Sequence, residues 1–108
     1  MSGLDLRTMH TMQEELHEKY KDKWRPISPA IGRDKLLWMM AEMGEVADII
    51  KKQGDERIME NADVRQHFVE ELCDTLMYFH DVCRCYGVTP EELEEVYLAK
   101  HRKNLERW

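Results

Sequence analysis

Residues 34–53 read DKLLWMMAEMGEVADIIKKQ, and their spacing decides the fold class. Leu36, Met39, Met40, Met43, Val46, Ala47 and Ile50 recur at the intervals of one helix face, without the alternation a strand would need. Turning 100° per residue puts Trp38, Glu42, Glu45 and Ile49 on a separate stripe, roughly 130° from the centre of that face. Lys51 and Lys52 suit the negative end of a helix dipole, and Gly54 suits the C′ position that closes it.

The two-stripe pattern recurs downstream. Asp63 reads as an N-cap, followed by a helix to about Tyr86 whose apolar face is Phe68, Leu72, Leu76, Phe79 and Cys83. A second stripe carries His67, Glu71, Asp74, Tyr78 and Cys85, and Gly87 ends the helix. Thr89-Pro90-Glu91-Glu92 combines a capping box with proline at N1, starting a last helix that reaches about Arg107. Upstream, Leu6, Met9, Gln13, Leu16 and Tyr20 predict a helix over about residues 5–23. The tract Trp24 to Gly32, with two prolines and a glycine, predicts a break. Residues 55–62 read as a polar connection holding a short helical turn. The expectation is a single all-α, four-helix-bundle-like domain over residues 1–108, with its motif-bearing core at about 34–107.

Charge and composition exclude some functions. Acids outnumber bases, 22 to 16, for a net charge of −6. No basic patch stands out, so a nucleic acid polymer is not the expected partner. Cys73, Cys83 and Cys85 form no C-x-x-C pair, and two of them fall at apolar helical positions; they read as buried reduced thiols of a cytoplasmic protein. No apolar run reaches about 18 residues, so no membrane span is expected. At 108 residues the chain buries a modest share of its surface. Helices with two enclosed-looking faces imply self-association, as a homodimer or homotetramer.

Glu42-x-x-Glu45 and Glu71-x-x-Asp74 carry the chemistry. Residues three apart share a helix face, and neither acidic stripe contains a lysine or arginine that would mark a solvated face. Four carboxylates at one place repel, since two unit charges about 4 Å apart cost roughly 4 kcal/mol at an effective dielectric of 20. A hard divalent cation such as Mg²⁺ or Mn²⁺ would join them. Surface decoration by chance acidic pairs is the competing reading.

The order and spacing of these pairs, with 25 residues between them, resemble the E-x-x-E…E-x-x-D signature of MazG-like nucleoside triphosphate pyrophosphohydrolases, in the all-α NTP pyrophosphatase superfamily. The surrounding residues extend the likeness: Ala41 to Asp48, Glu70 to Tyr78, then Lys100, Lys103, Asn104 and Arg107, so that it spans about residues 36–107. The resemblance implies an oligomeric MazG-type domain that hydrolyses (d)NTP between the α and β phosphorus atoms to (d)NMP and pyrophosphate, in nucleotide-pool house-cleaning. It implies Mg²⁺, with Mn²⁺ as a substitute, held by Glu42, Glu45, Glu71 and Asp74, with Glu45 or Glu71 activating the water. Lys100, Lys103, Asn104 and Arg107 would meet the triphosphate, Tyr78 would line the pocket, and the pocket would be completed between protomers. Trp24 and Trp38 stack on a base or serve packing, and base selectivity is expected between Trp24 and Arg33.

Two other readings stand beside this one. A non-catalytic helical interaction module would explain the apolar faces without the acids. A di-iron carboxylate bundle would use Glu14-x-x-His17, but such sites want two E-x-x-H helices and the chain has one, His67-x-x-Glu70 running in reverse.

Overall fold

Ser28 and Pro29 start a helix five residues before the sequence predicts one. The Ser28 hydroxyl accepts from the Ile31 amide at 3.2 Å, and Pro29 occupies the first turn, where its missing N–H costs nothing. The prolines that predict a break thus include one that opens a helix.

The computed structural model describes residues 3–107, which are all-helical: α1 (Leu6–Lys19), α2 (Pro29–Gln53), α3 (Asp55–Glu60), α4 (Ala62–Cys85) and α5 (Pro90–Arg107), with no strand among them. Asp5 caps α1 through the Thr8 amide. The α4 cap is Asn61, whose Oδ1 takes the Val64 amide at 3.1 Å, rather than Asp63 two residues on. Thr89 caps α5 as expected, its Oγ1 accepting from the Glu92 amide. The polar connection forms the six-residue α3, which sets Ile58 into the core. Cys83 and Cys85 are buried free thiols, Cys73 is an exposed one, and among the described residues no helix is long and apolar enough to cross a membrane.

α2 and α4 run antiparallel and make the principal contact of the fold. Their seam contains Ile31, Lys35, Met39, Glu42, Val46 and Ile49 from α2, facing Val64, Phe68, Glu71, Thr75, Phe79 and Val82 from α4, all buried or half-buried. The seam therefore lies between the two sequence stripes and not along the apolar faces. Leu36, Met40, Met43 and Ile50, expected in the core, are exposed on one side of it, as are Leu72 and Leu76. Met12, Met59 and Met77 are likewise exposed.

α1 packs across α4, and α5 packs on α1 alone, touching neither α2 nor α4. Arg7 pairs with Glu91 where α1 meets α5. Val96, Tyr97 and Leu105 of α5 are 62–71% exposed. The protomer exposes 8541 Å², against about 6,300 Å² for a compact monomer of its mass. Its radius of gyration is 16.4 Å, where about 13 Å is usual for this length.

Gly32 sits where α2 passes closest to the end of α4. An added Cβ would lie 2.5 Å from the Tyr86 ring and 2.9 Å from Cys85 Cβ. Alanine ordinarily favours a helix over glycine by about 1 kcal/mol; here overpacking reverses the sign. Gly32→Ala is expected to lower stability by about 1–3 kcal/mol in urea unfolding, and an unchanged or raised midpoint would show that Tyr86 simply swings aside.

Candidate metal centre and adjoining cavity

Because α2 and α4 are antiparallel, their side chains meet in rungs. Lys35 Nζ lies 3.5 Å from Asp81 Oδ2. The Trp38 and Tyr78 rings come next, edge to face at 6.3 Å between centroids. One carboxylate oxygen from each of Glu42, Glu45 and Glu71 then lies within 4.8 Å of the others. Helical spacing supplies Glu42 and Glu45 from one helix, while the pairing of helices brings Glu71 to them. Asp74 is exposed and stands outside this trio, but it shares a cavity wall with Glu42 and adds to the negative potential there.

The trio is electrostatically unsatisfied. Glu71 is held from one side by His67 Nε2, 3.3 Å from its Oε1, whereas its buried Oε2 has no hydrogen-bond partner. The Glu42 carboxyl is pushed up to about 7, first by its hydrogen bond to Glu71, then by desolvation and the charges of Glu71, Asp74 and Glu45. A proton on Glu42 and a cation between the two acids would thus relieve the same repulsion. An orphaned buried oxygen, a forced proton and an all-oxygen donor set fit a hard divalent ion such as Mg²⁺ or Mn²⁺. No histidine belongs to the trio, and Glu14 and His17 of the E-x-x-H pair lie apart from it on α1.

Beside the trio a cavity of about 590 Å³ opens between α1, the 20–28 segment, α2 and α4. Its walls include Trp24, Trp38 and Tyr78, with Glu42 and Asp74 at one end and Lys35, Asp81 and Arg84 also lining it. Asp81 Oδ1 accepts from Gln13 Nε2 at 2.9 Å and lies 3.8 Å from Arg84 Nη1, which also donates to the Gln13 carbonyl. Lys35 Nζ lies 5.4–5.6 Å from the centroids of Trp24, Trp38 and Tyr78. Burial, then the charges of Glu42, Asp81 and Asp74, push the Tyr78 hydroxyl up, so it remains a hydrogen-bond donor at neutral pH.

Lys100, Lys103, Asn104 and Arg107 are not brought to the acids within one protomer, since α5 meets only α1. Lys35, Asp81, Arg84 and Gln13 are the cavity residues that the sequence reading missed. A signal existed: Lys35 is one turn before Trp38 on the acidic stripe, and Asp81 is one turn after Tyr78 on the other. Extending each stripe by three residues also places a lysine on a face read as lacking one.

Comparison with known proteins gives no match to this chain among protein-family models, curated proteins or solved structures.

Proposed function

We propose that the protein is a Mg²⁺-dependent nucleoside triphosphate pyrophosphohydrolase of MazG-like type, acting on the cytoplasmic nucleotide pool. The observation that carries this reading is the meeting of Glu42, Glu45 and Glu71, from two separate motifs, around an unpartnered buried oxygen. A surface decoration of acids would splay outward to lower its repulsion; these converge beside a cavity whose volume suits a small-molecule ligand.

When bound, Mg²⁺ or Mn²⁺ would neutralise phosphate charge and stabilise the leaving pyrophosphate. Glu42 and Glu71 are the ligands best held for it, His67 fixing the Glu71 carboxylate in place, with Glu45 and Asp74 completing the set. Glu45, exposed at the edge of the trio, has oxygens available to orient the attacking water and take its proton. The Tyr78 hydroxyl donates to sugar or phosphate, and the nucleoside lies along the cavity beside the acids.

A second copy covers the bare side of the α2–α4 layer, making a homodimer or homotetramer whose four-helix core is shared. The excess of exposed apolar surface supports this, and α5 of a neighbouring copy would bring Lys100, Lys103 and Asn104, with Arg107 beyond them, to the site. Sedimentation should give at least twice the 13.0 kDa protomer mass, and Leu72→Asp, in the exposed stripe, should shift the protein toward monomer. A wild-type monomer at micromolar concentration would defeat the shared-core reading.

Incubation with Mg²⁺ and a panel of canonical and modified (d)NTPs tests the activity. Monophosphate and pyrophosphate are expected in equal amounts. Release of orthophosphate would move the reaction to another bond, and no turnover with any triphosphate would leave the helical interaction module, which the exposed apolar faces favour.

A further inference from the structure

We infer that Lys35 determines base selectivity, favouring nucleotides whose base carries a keto oxygen, rather than an amino group, at the edge farthest from the sugar. The inference rests on the nucleotide reading above and adds to it the class of base.

Lys35 precedes Glu42 by seven residues on one face of α2, which separates their backbones by about 10 Å along the axis. That span matches the reach from a nucleoside's 5′ phosphorus to the far edge of its base. Between the two ends, Trp38 and Tyr78 form an aromatic wall, and Trp24 stands against the Lys35 end. A triphosphate anchored at the acids therefore lays its sugar and base along the rings and brings position 4 of a pyrimidine, or position 6 of a purine, toward Lys35.

The chemistry at that end is donor-rich. Asp81 faces three donor groups, Gln13 Nε2 at 2.9 Å, Lys35 Nζ at 3.5 Å and Arg84 Nη1 at 3.8 Å, so donors outnumber acceptors at this end of the cavity. The Lys35 ammonium has three N–H donors and no acceptor, and its one ion-pair contact, to Asp81 at 3.5 Å, is long. A keto oxygen at the far edge accepts from Lys35. An amino group there sets donor against donor in a site with its side chain 19% exposed, where water cannot easily intervene.

The test compares isosteric pairs on the full-length protein with Mg²⁺: dUTP against dCTP, and dITP against dATP. A kcat/KM ratio of at least about tenfold toward the keto member of each pair is expected, falling to within about twofold of unity in Lys35→Met. Lys35→Arg, which keeps the donors, should retain part of it. A second arm measures dUMP and dCMP binding without metal by tryptophan fluorescence, with folding of each variant checked by circular dichroism. Hydrolysis with no keto preference, or with a preference that survives Lys35→Met, overturns this inference and leaves the hydrolase intact. Absence of hydrolysis with a Lys35-dependent preference for dUMP sustains the inference and defeats the hydrolase, and absence of both turnover and binding defeats the two together.

Discussion

Glu71→Gln is expected to abolish pyrophosphate release while leaving the metal-free fold at least as stable as before. Glu71 is well enclosed, its side chain 12% exposed, with Oε2 buried and unpartnered. If Glu71 holds the metal as proposed, replacing it removes a charged ligand, and losing one such group from a preorganised site typically costs on the order of 100–1,000-fold in kcat. The amide also removes the largest cause of the raised Glu42 carboxyl, so repulsion within the seam falls and the metal-free melting temperature should hold or rise. The wild type should gain thermal stability when Mg²⁺ or Mn²⁺ is added, by mass action on the folded state, and the variant should gain none. Retained turnover, or a collapse of the metal-free fold, would each remove Glu71 from the role given to it.

Metal affinity should depend steeply on pH. With the Glu42 carboxyl pushed up from 4.5 to about 7, the folded protein holds a proton that the unfolded chain has released. The contribution of this group to metal-free stability is therefore fully present below about 4.5, is lost as pH rises toward 7, and is level above it. A cation must displace that proton, so Mn²⁺ affinity measured calorimetrically should be flat above about pH 7.5 and fall about tenfold per unit below 7. Buried His80, whose Nε2 has no partner and whose pKa is lowered by desolvation, acts on global stability with the opposite sign. Its neutral form is favoured in the fold, and stability is lost as pH falls below 6.5. Metal affinity, rather than melting temperature alone, is thus the measurement that isolates Glu42. Affinity constant from pH 5.5 to 8 would mean that the carboxylates do not share a proton.

The site was legible in part. Glu42 and Glu45 could be placed together because a pair three residues apart has only one helix face to occupy, whatever the rest of the chain does, whereas Glu71 reaches them through the pairing of α2 with α4. Asp74 shares that spacing but is set by the helix rotation outside the tightest grouping. The stripes could be extended to Lys35 and Asp81, but their pairing could not be read, because the local partner of Asp81 is Arg84 and its contact with Lys35 is set by the register of helices whose contacting residues are separated by a long stretch of chain.

Periodicity and caps act within about four residues of one another, so the sequence alone determined the α-helical class, the starts at Thr89 and the ends at Gly54 and Gly87, and the segregation of acids onto their own stripes. Asn61 rather than Asp63 caps α4, its Oδ1 accepting from the Val64 amide. Only the tertiary structure decided that the α2–α4 seam runs between the stripes, that part of each apolar face is left bare, and that α5 stands on α1 away from the acids. The physical reason is that helix rotation and pairing register follow from the packing of whole surfaces: close approach at Gly32, burial of Ile49 and Cys83, and the Asp81 network select one register among several that the local pattern permits equally.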